Sequence, residues 1–189
     1  MVLATVFVLV VVVVIVAPDE RTLGSGIQSV YVHVGLTLAG MTGLILAGVL
    51  GLIGLFSSRN RFHAWMLSIG RVGLLLFAAG VAVSLVAAHI NWGGVALQEP
   101  LLRTSVLLLG VAWIAHLVMP LFSRARWHAV LSLVPALGLA VLVLRAPRVM
   151  HPPGAVLPSA PAGMLLTFAG LIVLFLIAGA QLSWYLRRR

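Results

Sequence analysis

Long apolar runs alternate with short polar connections along the whole chain. Six such runs are found, at residues 2–17, 29–56, 62–90, 101–122, 127–144 and 163–186. A helix that crosses a bilayer needs about 17–25 residues, and inside lipid a helix satisfies its own backbone polar groups. The pattern therefore predicts an all-α polytopic membrane protein, in which residues 1–189 form one bundle of six transmembrane helices.

The first run, at residues 2–17, is only just long enough to span a bilayer. A short apolar run near an N-terminus is also typical of a secretory signal peptide. Here no positive residue precedes the run, and Ala17-Pro18-Asp19 is a poor cleavage site. We therefore expect the first run to be a retained span.

The composition agrees with a membrane protein. Hydrophobic residues make up 62% of the chain and charged residues 8%, and the mean hydropathy is +1.21. A soluble domain of this size could not bury so much apolar surface. The net charge of +9 does not indicate nucleic-acid binding, because the arginines lie at the ends of the apolar runs and form no continuous face. We expect the lipid bilayer, and no nucleic acid, as a partner.

The charges are divided between the two sides of the predicted bundle. The connections at residues 57–61 and 123–126, together with residues 187–189, carry arginines and no acid, whereas all 3 acids (Asp19, Glu20 and Glu99) lie on the other side. The positive-inside rule places the basic connections in the cytoplasm. Both termini are then cytoplasmic, and we expect a multi-pass protein of the cell (inner) membrane.

The second run carries small residues at every fourth position: Gly35, Ala39, Gly43, Ala47 and Gly51. Small residues at this spacing let a neighbouring helix pack very closely. The pattern therefore predicts close helix packing. A smooth wall for a flat ligand is the alternative interpretation.

Two histidines are predicted to lie on the same, outer side of the membrane. His33 lies at the outer end of the second run, and His151 lies in the proline-rich connection between the fifth and sixth runs. Two neutral imidazoles on one side can hold a metal between them. The segment Asn91-Trp92-Gly93-Gly94 falls on that side too. The alternative is that each histidine is a hydrogen-bonded residue at the membrane interface.

The other histidines leave further possibilities open. His89 is a third outer histidine and could replace one of the pair. His116 lies well inside the fourth run, where a polar residue needs a partner, and an inner haem site there is an alternative. His63 and His128 flank cytoplasmic turns, where we expect them to be interfacial residues.

Several kinds of chemistry are disfavoured by residues that the sequence lacks. Cys is absent, which excludes disulfides and a covalently attached c-type haem. Lys is absent, which excludes a phosphate-binding P-loop. No carboxylate lies within an apolar run, and proton- or sodium-coupled pumps usually need one there. No Ser-His-acid arrangement can be argued, and we expect no enzyme activity.

Five segments together resemble a known family. In chain order they are Tyr31-Val32-His33-Val34, Ser68-Ile69-Gly70, Trp92-Gly93, Glu99-Pro100-Leu101-Leu102 and His151. The order is similar to that of the cytochrome c assembly membrane proteins, and specifically of the haem-handling C subunit of system I maturation. That resemblance implies six spans with cytoplasmic termini, and non-covalent haem b held at the outer surface, permanently or in transit.

The resemblance also assigns the binding residues. It implies His33 and His151 as the axial ligands of the haem iron, and residues 92–104 as a tryptophan-rich loop against the macrocycle. Trp92 and Gly93 match that loop, and the propionates could meet Arg103, Arg145 or Arg148. The chain departs from the family pattern where Val95, Ala96 and Gln98 replace tryptophans, Leu101 replaces arginine, Glu99 replaces aspartate and Gly35 replaces proline.

Two functions follow from the resemblance. The first is a haem-binding protein that hands its haem to a maturation partner carrying thiols. The second, motivated by the departures in the loop, is an accessory subunit, haem-containing or purely structural, of a respiratory or photosynthetic membrane complex. In both cases the expected protein partners are other integral membrane proteins of a maturation or redox complex.

Overall fold

The computed structural model describes residues 2–56, 60–95, 97–145 and 160–188. These residues form six α-helices and no strand: α1 (Val2–Ile15), α2 (Ile27–Phe56), α3 (Asn60–Trp92), α4 (Pro100–Val118), α5 (Ala125–Arg145) and α6 (Ala162–Arg187). A short 3-10 turn, Met119–Leu121, continues α4. The predicted all-α membrane fold is confirmed.

Helices α2 to α6 are long and apolar enough to cross a membrane, with α4 counted together with its 3-10 turn. Helix α1 is apolar but has 14 residues, which corresponds to a length of about 21 Å against about 30 Å of bilayer hydrocarbon. It ends before Pro18, because a residue that precedes proline is disfavoured in a helix. The predicted first span is therefore shorter than the sequence pattern suggested.

Helix α2 is the centre of the bundle, and small residues let three helices approach it. A Cβ atom added to Gly43 would lie 2.8 Å from the Gly73 Cα of α3, and one added to Gly35 would lie 2.8 Å from the Phe175 ring of α6. On a third side, Gly48 packs against Ala136 of α5. The close packing predicted from the small residues of α2 is confirmed.

Two apolar clusters hold these helices together. The first joins α2 to α5 through side chains that include Leu44, Phe77 and Leu139. The second joins α1, α2 and α6 around Tyr31 and Leu171. The hydroxyl of the fully buried Tyr31 donates a hydrogen bond of 3.1 Å to the Pro18 carbonyl, which fixes the connection between α1 and α2 to the bundle.

The helices alternate in direction, so the bundle has two distinct ends. We call the end where α2 begins and α3 finishes the His33 end; Asp19, Glu20 and Glu99 all lie in its connections. The opposite end, where α3 begins and α6 finishes, is the Arg187 end. The acidic side chains and the basic C-terminus are thus a bundle length apart.

Candidate functional site

The ring of His33 is held between α2 and α3. Its Nδ1 lies 2.8 Å from the carbonyl oxygen of Gly80, and 3.3 Å from the hydroxyl of Thr37 one turn further along α2. A carbonyl oxygen can only accept, so Nδ1–H is the donor. In a neutral imidazole the lone pair is then on Nε2, the nitrogen that a metal ion would bind.

Gly80 makes this contact possible because α2 and α3 almost touch there. A Cβ atom at Gly80 would lie 2.8 Å from the backbone nitrogen of Thr37. The close approach brings the Gly80 carbonyl within reach of the partly buried His33 ring. A backbone carbonyl on Nδ1 is the kind of outer contact that fixes the tautomer and orientation of metal-binding histidines.

Trp92 and Gly93 lie where α3 ends. Gly93 has a φ of +73°, in the left-handed region that glycine adopts readily, and its N–H donates to the His89 carbonyl at 3.0 Å. Trp92 is 48% exposed, and Leu97 beyond it is 72% exposed. The His33 end therefore carries exposed apolar side chains around the end of α3.

His33 lies deeper in the bundle than Trp92. The side-chain amide of Asn91 donates to the Gly26 carbonyl at 3.2 Å, which places the end of α3 level with the start of α2. His33 follows Gly26 by seven residues, or about 10 Å of helix. The two predicted site residues are thus at different depths along the bundle.

The other predicted site residues are only partly covered by the structure. Arg103 is exposed in the first turn of α4, at the His33 end. His151 and Arg148 lie outside the described residues, as does the side chain of Arg145. The predicted second axial ligand therefore stays a prediction.

The two alternative haem ligands have contrasting surroundings. His89 is exposed near the end of α3. The Nδ1–H of His116 donates to the Ala112 carbonyl of its own helix at 2.9 Å, and its Nε2 faces Gly70 of α3, 3.0 Å from where a Cβ atom would be. The polar ring of His116 thus has a partner within its own helix, beside a glycine that makes room for it.

A histidine pair that the sequence did not predict lies at the Arg187 end. Nε2 of His63 and Nδ1 of His128 are 2.9 Å apart, and the rings are stacked with centroids 5.0 Å apart. Nε2 of His128 lies 2.7 Å from the Phe122 carbonyl, to which it must donate. His63 Nε2–H therefore donates to His128 Nδ1, and the pair links α3 to α5. The only signal in the sequence was that both histidines flank basic turns.

Across the described ranges, no three His, Cys, Asp or Glu side chains are grouped so that they could hold a metal ion. An iron porphyrin needs only two protein ligands, one on each face, so His33 fits as one of them. In the comparisons with known proteins, the sequence matches no protein-family model and no curated protein.

Proposed function

We propose that the protein binds haem b non-covalently at the His33 end, as a haem-handling membrane protein of the cytochrome c assembly type. The observation that supports this most directly is the His33 ring, whose Nδ1–H is bound to the Gly80 carbonyl. That contact selects the neutral tautomer with its lone pair on Nε2 and fixes the ring between two packed helices.

The surroundings suit the rest of the cofactor. Trp92 and Leu97 present exposed apolar surface at this end of the bundle, and a porphyrin face favours such surface. Arg103 is an exposed cation at the same end, of the kind that pairs with a propionate carboxylate. The chain has no Cys, so any haem would be held by coordination and packing alone.

We propose His151 as the second axial ligand and Arg148 as a further propionate partner, both from the sequence. The haem supplies an iron centre with two axial positions, and the protein's part is to hold and orient it. The chain would then pass its haem to a membrane partner that carries the thiols it lacks. No catalytic residue is required.

A second candidate function is an accessory subunit of a respiratory or photosynthetic membrane complex. It is favoured by the segment after α3, where Trp92 is followed by Val95, Ala96 and Gln98 in place of further tryptophans. Fewer indole rings leave a smaller stacking surface for haem handover. A subunit with permanent haem, or with none, would not need that surface.

The test is the absorption spectrum of the purified protein, oxidised and reduced, with and without added haemin. We expect a low-spin b-type spectrum that is lost in both His33→Ala and His151→Ala. His89→Ala is the matched control, because His89 is exposed at the same end and should leave the spectrum unchanged. Thermal unfolding of each variant shows that the bundle remains folded.

An unchanged spectrum in both ligand variants would refute the proposed site. A spectrum abolished by His116→Ala alone would assign the haem to the inner half of the bundle. Restored cytochrome c maturation in a strain lacking the family member would favour the handover function. Stable co-purification with a large redox assembly would favour the accessory subunit.

A further inference from the structure

A groove of about 380 Å³ lies between α2, α3 and α6, in the half of the bundle nearer the Arg187 end. Its walls approach closely because small residues line them, among them Ala39, Gly43, Gly73 and Gly179. The volume falls within the range of about 300–1,000 Å³ that is usual for ligand sites. The alternative interpretation of the α2 stripe, a smooth wall beside a ligand, thus has a cavity that could serve it.

The groove opens sideways, onto the surface that faces lipid. Thr42, Leu46, Leu176 and Ala180 line it and are also exposed. In a bilayer these residues lie along the membrane-spanning part of α2 and α6. An apolar chain can therefore enter from the hydrocarbon layer without crossing water.

Two tryptophans and two arginines stand at the Arg187 end of the groove. The rings of Trp65 and Trp184, which line it, have centroids 5.7 Å apart. The guanidinium carbon of Arg187 lies 4.4 Å from the Trp65 ring centroid and 5.0 Å from that of Trp184, and that of Arg188 lies 4.6 Å from Trp184. The groove thus leads from apolar walls to a fixed pair of cations.

These cations call for an anion that the chain does not supply. All 3 acidic side chains of the sequence lie at the His33 end. In the described part of the chain, Nε of Arg187 is buried and has no hydrogen-bond partner, and an unsatisfied buried donor is unfavourable. A guanidinium matches the geometry of a phosphate group, which can accept two parallel N–H bonds.

We propose that the groove binds an acyl chain of an anionic phospholipid, with the lipid phosphate on Arg187 and Arg188. Tryptophans occupy the headgroup level of a bilayer, which is where Trp65 and Trp184 would place the boundary between the lipid chain and its phosphate. An apolar groove that ends in arginines fits a lipid better than it fits a water-soluble anion.

The test uses the full chain, purified in detergent and titrated with phosphatidylglycerol or phosphatidylcholine, with bound lipid counted by native mass spectrometry. We expect one tightly retained phosphatidylglycerol, and weaker retention of phosphatidylcholine. Arg187→Gln and Arg188→Gln should each weaken phosphatidylglycerol retention about fivefold. Arg21→Gln is the matched control, because Arg21 is exposed at the other end.

A second pair of variants tests the acyl-chain part of the site. Ala180→Phe places a ring in the groove from an exposed position and should lower retention of both lipids. Ala82→Phe, on an exposed position of α3 outside the groove, should not. If Arg187→Gln does not fold, Arg188→Gln carries the test, because Arg188 lies beyond α6 and is exposed.

Equal retention of the two lipids by the unaltered protein would overturn the proposal. So would an Arg188→Gln protein that retains phosphatidylglycerol as well as the control does. Competition by glycerol phosphate at the same concentration as the lipid would show a plain anion site and overturn the role of the groove.

Discussion

Replacing Gly40 by alanine adds a single methyl group where α2 and α3 are in closest contact. The new Cβ atom would lie 2.6 Å from the Cα and 2.8 Å from the Cβ of Phe77. Ordinary Cβ contacts begin at 3.4 Å, so the two backbones must separate by about 0.8 Å. The obstructing atoms belong to the α3 main chain and the base of a buried side chain, and neither can turn away.

The cost follows from what that separation disturbs. Phe77 and Leu44 are almost completely buried in the cluster that joins α2 to α3, α4 and α5. Overpacking of such a core typically costs about 1–3 kcal/mol, and close packing is a main source of helix association in a membrane. We expect Gly40→Ala to lower the free energy of unfolding by that amount.

Gly110→Ala provides a control with the opposite sign. Gly110 is exposed on α4, and a Cβ atom there would have nothing within 4 Å. Alanine in a helix interior is favoured over glycine by about 0.5–1 kcal/mol, so this variant should be slightly more stable. Thermal unfolding in detergent, followed by circular dichroism, measures both variants against the unaltered protein.

The same variant also affects the proposed haem site. The 2.8 Å bond from His33 to Gly80 spans the two helices that Gly40→Ala pushes apart. Haem affinity should therefore fall in Gly40→Ala and stay unchanged in Gly110→Ala. If Gly40→Ala unfolds at the temperature of the unaltered protein, the deduced closeness of α2 and α3 is wrong.

Two further predictions concern pH. The Thr22 hydroxyl, followed by the backbone N–H of Leu23, donates to the exposed Glu20 carboxylate and lowers its pKa, so its stabilising effect is present near neutral pH and is lost as the pH falls through the lowered value; Glu20→Gln should show a smaller drop in unfolding temperature on acidification. The bond between His63 and His128 needs an unprotonated acceptor nitrogen, so it should be lost below the neutral range where imidazoles titrate. His63→Phe should remove that part of the pH dependence between pH 8 and pH 5, and an unchanged dependence would show that the pair does not link α3 to α5.

The apolar runs located every helix, but their ends less well. Helix α3 begins at Asn60 and α5 at Ala125, each two residues before the predicted start. The difference arises because hydrophobicity marks only the lipid-facing part of a helix, whereas polar residues such as Arg126 continue it into the interface. Pro135 did not interrupt α5, where it is fully buried.

The contacts that define the sites were beyond sequence reasoning. His33 and Gly80 are 47 residues apart, and His63 and His128 are 65 apart. Such contacts depend on which helices are neighbours and on how far one is shifted along the other. The small residues of α2 predicted close packing, but they could not show that Gly43 meets α3 while Gly35 meets α6.

The separation of acids from the C-terminal arginines gives the molecule an electrical direction along its axis. Carrying one unit charge across a membrane held at 100 mV changes the energy by about 2.3 kcal/mol. Flipping the bundle would move several charges at once. Vesicles that hold a voltage while the protein inserts should therefore capture it mostly one way round, whereas vesicles without a voltage and without charged lipids should sort it less strictly.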